Sequence, residues 1–207
     1  MMAYVFDLLR HGKVNGQPAL YGSTDIKVSE AGHDQLMSHH LQLAGASRII
    51  SSPLQRCLYS AKVLASELDL KLSTAPTLAE CHFGELDGIP FDDITEQWPL
   101  LDAFWQSPSS HTLPGAESLR DFHNRVVGFW ERIIARPGGN HTVLVTHGGV
   151  IRQIIARVLG LDWTSPALYQ QLSVSHASLT RITLADYPSA IPVIQFIGLP
   201  PEQGPLR

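Results

Sequence analysis

Three stretches of the chain share one arrangement, in which a short apolar run is followed by a small or polar turn and then by a helical pattern. The apolar runs cover residues 4–9, 48–50 and 142–146, and the turns after them begin at Arg10, Ser51 and His147. Short apolar runs that alternate with helical periodicity are typical of parallel strands connected by helices. The pattern therefore predicts an α/β fold with a largely parallel sheet and helices on both of its faces.

Further helices and strands are predicted in the rest of the chain. Helices are expected over 29–45, 54–68, 118–135 and 150–159, and strands over 70–74, 177–184 and 193–197. Residues of about 88–116 interrupt this pattern, because Trp98, Phe104 and Trp105 alternate with prolines without a regular period. We interpret this stretch as an excursion from the sheet with one short helix. Its aromatic side chains form either a satellite core or the wall of a ligand pocket.

The composition is that of one globular domain. The chain has 207 residues, of which 44% are hydrophobic and 16% are charged, so a disordered or acidic solvating protein is excluded. The 15 lysines and arginines against 19 aspartates and glutamates give a net charge of −4. We expect a single domain over residues 1–207 and no nucleic-acid partner, since no overall positive charge is available for a phosphate backbone. A site for a small anion must be built locally.

The cysteines and the first residues bear on the cellular compartment. Cys57 and Cys81 are too few for a disulfide framework and lack the Cys-x-x-Cys spacing of a zinc site, which favours reduced thiols in a cytoplasm. The N-terminus has neither the basic start nor the cleavage site of a signal peptide. No apolar stretch approaches the ~18 residues of a membrane-spanning helix. We expect a cytoplasmic protein without a membrane partner. A homodimer is one possible assembly.

Polar side chains with phosphate chemistry are expected at one edge of the sheet. Ligands bind beyond the carboxyl ends of parallel strands, where this sequence has Arg10, His11, Arg56 and His147. With Ser52 as the expected N-cap of the helix, Arg56 lies in the first helical turn, beside backbone donors and the positive end of the dipole. Guanidinium groups bind phosphate oxygens in paired hydrogen bonds. Two arginines and two histidines together therefore predict a site for a tetrahedral dianion.

The same residues can transfer a phosphoryl group. Neighbouring arginines disfavour protonation of an imidazole and so keep one histidine neutral and nucleophilic, while the other, in contact with the phosphate, stabilises charge as a cation. The leaving oxygen needs a proton donor, for which the sequence offers Glu80. A metal hydrolase is a rival reading, but the 10 histidines show no His-x-x-x-His or His-x-His pair with a nearby carboxylate on a predicted element. We therefore expect no metal and no cofactor.

Five segments, in order, resemble those of the histidine phosphatase superfamily, also called phosphoglycerate mutase-like. The segments are LLRHGK (8–13), SSPLQRCLYSA (51–61), LAECHFGELDG (78–88), PGAESL (114–119) and VTHGGVIR (145–152). The resemblance implies a three-layer α/β/α sandwich around a mostly parallel sheet, with one antiparallel edge strand and no metal. It implies that His11 accepts the phosphoryl group, that Arg10, Arg56 and His147 bind the phosphate, that His147 also stabilises charge, and that Glu80 protonates the leaving group.

The loop after the signature departs from the family pattern. Many members have an acidic residue and a hydroxyl where this chain has Lys13 and Val14, and the asparagine often found later in that loop has Asn15 and Gln17 as candidate counterparts. We list three residues as a candidate substrate rim, namely Asn15, Gln17 and His82. His176 precedes a predicted strand, and whether its side chain approaches the pocket is left open. The six remaining histidines, at 33, 39, 40, 111, 123 and 141, are expected on the surface.

These observations predict a phosphomonoester hydrolase that acts on a small phosphorylated metabolite. The segments RHGKVNGQPALYGSTD (10–25) and SEAGHDQL (29–36) resemble the α-ribazole phosphatases of cobalamin biosynthesis. A broad-specificity phosphatase on sugar phosphates or related metabolites is the alternative. A non-catalytic module that only binds phosphate is a third reading, and retention of every matched chemical group weighs against it.

Overall fold

The computed structural model describes residues 3–201 and contains a six-stranded sheet with helices on both faces. The strands are β1 (Ala3–Arg10), β2 (Arg48–Ser51), β3 (Lys71–Thr74), β4 (His141–Thr146), β5 (Leu179–Ala185) and β6 (Val193–Leu199). The α-helices are α1 (Glu30–Met37), α2 (Gln55–Glu67), α3 (Trp98–Gln106), α4 (Leu119–Ala135), α5 (Gly148–Leu159) and α6 (Ala167–Gln170). Single 3₁₀ turns lie at Pro76–Leu78, Gly84–Leu86 and Phe91–Asp93.

The sheet is mostly parallel, with the strand order β3-β2-β4-β1-β5-β6. Strands β1, β2, β3 and β4 pair in parallel, whereas β5 pairs antiparallel with both β1 and β6. Within residues 3–201, β5 is thus the one strand that runs against the others, and it is not at the edge. The expectation of an antiparallel edge strand was wrong in this respect. Only residues 186–192 connect β5 to β6, a link short enough for an antiparallel pair and too short for a parallel crossover.

Two hydrophobic cores lie on opposite faces of the sheet and make it the middle of three layers. Successive side chains of a strand point to opposite faces, so Phe6 and Leu8 of β1 pack with α4 and α5, whereas Leu9 packs with α1 and α2. Trp130 of α4 is almost fully buried and contacts Phe6 edge to face, with ring centroids 5.2 Å apart. The α/β/α sandwich expected from the sequence is confirmed.

The first predicted helix ends earlier than expected. α1 begins after the N-cap Ser29, whose hydroxyl accepts a hydrogen bond from the Gly32 amide, but it stops at Met37 rather than near residue 45. Residues 38–45 form turns instead. His39, expected on the surface, is fully buried there and donates through Nε2 to the Ala177 carbonyl at 2.8 Å. That long-range contact replaces a continued helix.

His141 was also wrongly expected on the surface. It begins β4 in the middle of the sheet and is buried, with its Nε2 2.7 Å from Oδ2 of Asp7. Arg181 donates to the same carboxylate through Nε and Nη2. A buried carboxylate requires such partners, and His141 lies inward for this reason.

Helix α2 begins one residue later than predicted and without the predicted cap. Its N-cap position is Leu54, and the Gln55 amide and side chain instead donate to the Asp25 carboxylate at 2.6 and 3.0 Å. Ser52, expected as the N-cap, has its hydroxyl 2.8 Å from Nε2 of His147. A carboxylate brought from a distant loop therefore caps the helix, and the serine is free to contact the site.

The aromatic excursion contains the predicted short helix, α3, and forms a satellite core. Leu86, Ile94, Leu101 and Leu113 are buried in it, with Phe104 and Trp105 packed partly against them. In residues 3–201 no helix combines the length and the apolar character needed to cross a membrane.

Candidate active site

The carboxyl ends of β1 and β4 and the start of α2 bring the predicted residues together. His11 directly follows β1, His147 directly follows β4, and Arg56 is the second residue of α2. The rings of His11 and His147 meet edge to face with centroids 5.1 Å apart, and Arg56 Nε donates to Nδ1 of His147 at 3.3 Å. All three residues are buried.

His11 has the protonation state of a nucleophile. Its Nδ1 lies 2.8 Å from the carbonyl oxygen of Gly12. A carbonyl only accepts, so Nδ1 carries the proton and the Nε2 lone pair stays available. Burial, followed by the charges of Arg10 and Arg56, holds the pKa of His11 well below its usual value. The imidazole is therefore neutral at physiological pH.

Arg10 has a donor that the described residues leave unused. Its Nη1 donates to the Val174 carbonyl at 2.5 Å and its Nη2 to Nε2 of His176 at 2.9 Å, but its buried Nε has no hydrogen-bond partner among the described residues. Buried polar groups are nearly always paired, so an orphan donor beside a histidine indicates a ligand position. Burial lowers the pKa of Arg10 to about 10, which leaves the guanidinium charged at neutral pH.

Arg56 fixes the loop of residues 21–24 against the site. Its Nη2 donates to the carbonyls of Tyr21 and Gly22 at 2.8 and 2.6 Å, and its Nη1 donates to that of Thr24 at 2.9 Å. With Nε on His147, four of the five guanidinium hydrogens are engaged within the protein. The predicted phosphate-binding role of Arg56 therefore depends on its one remaining Nη1 hydrogen.

A carboxylate fixes the same loop through its amides. Asp87 accepts from the backbone amides of Gly22, Ser23 and Thr24 at 3.2, 2.8 and 2.9 Å, and from that of Phe83 at 3.0 Å. Burial raises the pKa of Asp87, but a hydrogen bond from the Thr24 side chain and those from backbone amides outweigh burial and hold it below its ordinary value. Arg56 and Asp87 thus pair both kinds of backbone group in residues 21–24.

His147 is neutral in this arrangement. It accepts from Arg56 at Nδ1, so its Nε2 carries the proton and donates to the Ser52 hydroxyl. Burial, followed by electrostatic interactions with His11 and Arg56, holds the pKa of His147 well below its usual value. The cationic form expected from the sequence therefore needs the negative charge of a bound phosphate.

Glu80 is aimed at the site by its neighbours. Its Oε1 accepts from the Cys81 amide at 3.1 Å and its Oε2 from the Gly149 amide at 3.0 Å. A Cβ added at Gly149 would overlap Oε1, so only glycine permits this approach. Arg125 of α4 fixes the backbone at Glu80 by donating to the Ala79 and Glu80 carbonyls at 2.8 and 2.9 Å.

Two cavities meet at Glu80. The first, the histidine cavity, has a volume of about 430 Å³ and contains Arg10, His11, Lys13, Val14, Gln17, Tyr21 and His176 in its lining. The second, the aromatic cavity, has a volume of about 200 Å³ and contains Phe104, Trp105, Phe122, Arg152 and Tyr169. Leu20, Glu80 and Phe83 line both. The Glu80 carboxyl group thus lies where the cavity that contains His11 meets one lined by aromatic side chains.

The candidate rim is only partly brought to the site. Gln17 lines the histidine cavity, whereas Asn15 and His82 are not among its lining residues. Asn15 is exposed, and its backbone N–H donates to the Lys27 carbonyl. His82 is also exposed, and its Nδ1 accepts a hydrogen bond from the Gly84 backbone amide at 2.7 Å. His176, left open by the sequence, does line this cavity.

Sequence reasoning missed Arg125 and Arg152. Arg152 lies one helical turn after Gly148, so the spacing of four residues from the turn after β4 could have placed it on the site face of α5. It donates through Nε to the Leu172 carbonyl at 3.0 Å and lines the aromatic cavity. Arg125 donates to Glu117 and to backbone carbonyls and lies over the Phe122 ring, contacts for which the sequence carries no comparable signal.

The chain belongs to the histidine phosphatase superfamily (branch 1), whose sequence profile matches residues 6–194. A probable phosphoglycerate mutase, GpmB, of Yersinia enterocolitica is 28% identical over 194 residues, covering 90% of this chain and 87% of the relative.

Solved structures show the same fold. A mycobacterial glucosyl-3-phosphoglycerate phosphatase in complex with inorganic phosphate aligns with a TM-score of 0.79 at 25% identity, over 97% of this chain and 98% of its own. The α-ribazole phosphatase of Shigella flexneri aligns with a TM-score of 0.77 at 21% identity, over 96% and 100% of the two chains. Two phosphatases with different substrates in their names thus share this architecture.

No group of three or more histidine, cysteine or carboxylate side chains is arranged to hold a metal ion in the part of the chain that the structure describes. Arg10 and Arg56, both of them largely buried, bring positive charge to the site.

Proposed function

We propose that the protein hydrolyses phosphate monoesters through a phosphohistidine on His11. One observation carries the proposal. At one cavity, a neutral histidine with its Nε2 unpaired lies with an arginine whose Nε has no partner among residues 3–201. A nucleophile and an unused phosphate donor at the same place fit phosphoryl transfer better than simple storage of an anion.

The reaction proceeds in two balanced steps. Nε2 of His11 attacks phosphorus, the bond from phosphorus to the ester oxygen breaks, and protonated Glu80 gives its proton to the leaving alkoxide. Water then attacks the phosphohistidine, Glu80 takes a proton from that water, and the bond between phosphorus and Nε2 breaks. Inorganic phosphate leaves and His11 is restored. Glu80 suits both proton transfers because it lies between the two cavities.

Arginine and histidine side chains supply the electrostatic stabilisation in this scheme. Arg10 binds the phosphoryl oxygens through its unpaired Nε and its remaining Nη hydrogens. His147, fixed by Arg56 and Ser52, lies beside the nucleophile and stabilises the charge that develops on the phosphoryl oxygens. The proposal therefore requires no metal ion.

The substrate that we propose is α-ribazole 5′-phosphate, within cobalamin biosynthesis in the cytoplasm. Its leaving group bears a flat apolar benzimidazole. Trp105 and Phe104 offer aromatic surface in the cavity adjoining Glu80, and stacking there contributes roughly 0.5–1.5 kcal/mol beyond buried area. Sugar phosphates lack such a ring. A broad-specificity phosphatase is the alternative, and equal efficiency on sugar phosphates would favour it.

Trapping of the intermediate tests the reaction. During turnover, wild-type protein quenched under denaturing alkaline conditions should carry an acid-labile phosphoryl group, and peptide mapping should place it on His11. His11→Ala should abolish both the label and the hydrolysis, whereas His111→Ala, a change at an exposed histidine, should alter neither. Near-normal turnover by His11→Ala would remove His11 as the nucleophile.

Two further outcomes separate the rival functions. Full activity in excess EDTA is expected, and a loss restored by one added divalent ion would overturn the metal-free scheme. A non-catalytic module would bind inorganic phosphate but release none from p-nitrophenyl phosphate.

A further inference from the structure

A third histidine contacts the phosphate-binding side of the site. His176 lies in the segment that connects α6 to β5, and its ring centroid is 5.4 Å from that of His11. Its Nε2 is 2.9 Å from Nη2 of Arg10. A guanidinium only donates, so Nε2 of His176 accepts and its Nδ1 carries the proton.

His176 and a neighbouring carbonyl hold one edge of the Arg10 guanidinium. Val174 accepts from Nη1 and His176 from Nη2, and both acceptors come from the same short segment. The Nε of Arg10 has no partner in the described part of the chain. A planar guanidinium with both Nη atoms fixed cannot rotate freely, so its unused hydrogens are preset in direction.

We propose that His176 is a positioning residue, which orients Arg10 so that its free hydrogens face the phosphate. This inference rests on the proposed function, because it takes Arg10 as a phosphate ligand. The role requires a neutral imidazole. Burial, and then the charges of Arg10 and Lys13, lower the pKa of His176 to about 4, so the acceptor persists at physiological pH.

A positioned donor raises affinity because less freedom is lost when the ligand binds. Removal of the acceptor should therefore weaken the binding of inorganic phosphate itself, with or without turnover. A hydrogen bond to a charged group contributes enough that we expect a loss of about tenfold in phosphate affinity for His176→Ala.

Two conservative variants distinguish positioning from packing. His176→Gln places its amide oxygen near the position of Nε2 and should restore phosphate affinity to within about threefold of wild type. His176→Asn is shorter, places its amide near the position of Nδ1, and should resemble His176→Ala. Rescue by asparagine but not by glutamine would overturn the assignment of Nε2 as the contact.

A double-mutant cycle with Arg10→Met completes the test, with phosphate binding measured by calorimetry on the full chain. If His176 acts through Arg10, His176→Ala should have no further effect in the Arg10→Met background. Additive losses would mean that His176 binds phosphate directly and would overturn the positioning role. If Arg10→Met alone leaves phosphate affinity unchanged, the proposed phosphate site fails instead. His111→Ala serves as the control in both backgrounds.

Discussion

Mild acid should destabilise the folded protein through two buried site histidines. The pKa of both His11 and His147 lies well below the usual value in the folded protein, with burial as the largest cause. In the unfolded chain each returns to about 6.5. Below that pH the unfolded state binds protons that the folded state does not, so the free energy of unfolding falls as pH falls. At pH 5.5 each group costs about 1.4 kcal/mol, and the two together about 3 kcal/mol.

Such a loss is large against the 5–15 kcal/mol that stabilises a typical domain. Urea unfolding at pH 7.5 and 5.5 measures it as the difference in the free energy of unfolding between the two pH values. Other titrating groups contribute to that difference, so the comparison is with a His11→Gln/His147→Gln double variant, in which both groups no longer titrate. We expect the pH-dependent difference to shrink by about 3 kcal/mol in this variant.

The control is His111→Gln, which removes an exposed histidine and should leave the pH-dependent difference at its wild-type value. If the double variant loses as much stability in acid as the wild type does, then His11 and His147 are not held neutral by the fold. The electrostatic basis proposed for the nucleophile would then fail.

Three further changes probe the acid and the leaving-group side. Glu80→Gln should lower kcat for alkyl phosphates by ~10²–10⁴-fold and for p-nitrophenyl phosphate much less, because nitrophenolate leaves without a proton; equal losses would contradict the acid role. Gly149→Ala should also lower kcat most for alkyl phosphates, since the new Cβ displaces Glu80, and unchanged steady-state kinetics would count against that geometry. Trp105→Ala should reduce the preference for α-ribazole 5′-phosphate over ribose 5-phosphate in kcat/KM, whereas Trp98→Ala, which alters a half-exposed ring outside the cavity lining, should not; matching effects would make the cavity irrelevant to specificity.

The strand-to-helix turns could be predicted because they depend on local sequence. Apolar runs fix the buried strands, and the direction of parallel strands then fixes which end gathers the turn residues. His11 and His147 came together for that reason, although 136 positions separate them in the numbering of the chain. The N-cap role of Ser118 at the start of α4 was likewise predictable, because its hydroxyl accepts from the amide of Asp121, only three residues further on.

Long-range polar contacts could not be predicted in the same way. The caps and turns around Asp25, His39 and His141 depend on partners far away in sequence, so local pattern misplaced the start of α2, the end of α1 and two histidines. Of the candidate rim, only Gln17 lines the histidine cavity, because a loop pattern cannot show which way an exposed side chain such as Asn15 turns. Trp105 was assigned two alternatives, and the structure shows both, as it packs in the satellite core and lines a cavity.

In the proposed reaction His11 must be neutral and His147 must carry a proton. The same surrounding charges can meet both requirements. Without ligand, burial and then the charges of Arg10 and Arg56 disfavour a proton on either ring, which keeps the proposed nucleophile His11 neutral. A phosphate dianion offsets those charges and so favours protonation of His147, which only then becomes an effective electrostatic stabiliser. The Nδ1 proton of His11 is held on the Gly12 carbonyl, which leaves Nε2 available for the proposed attack on phosphorus. We therefore expect the substrate itself to supply the charge that separates the roles of the two rings.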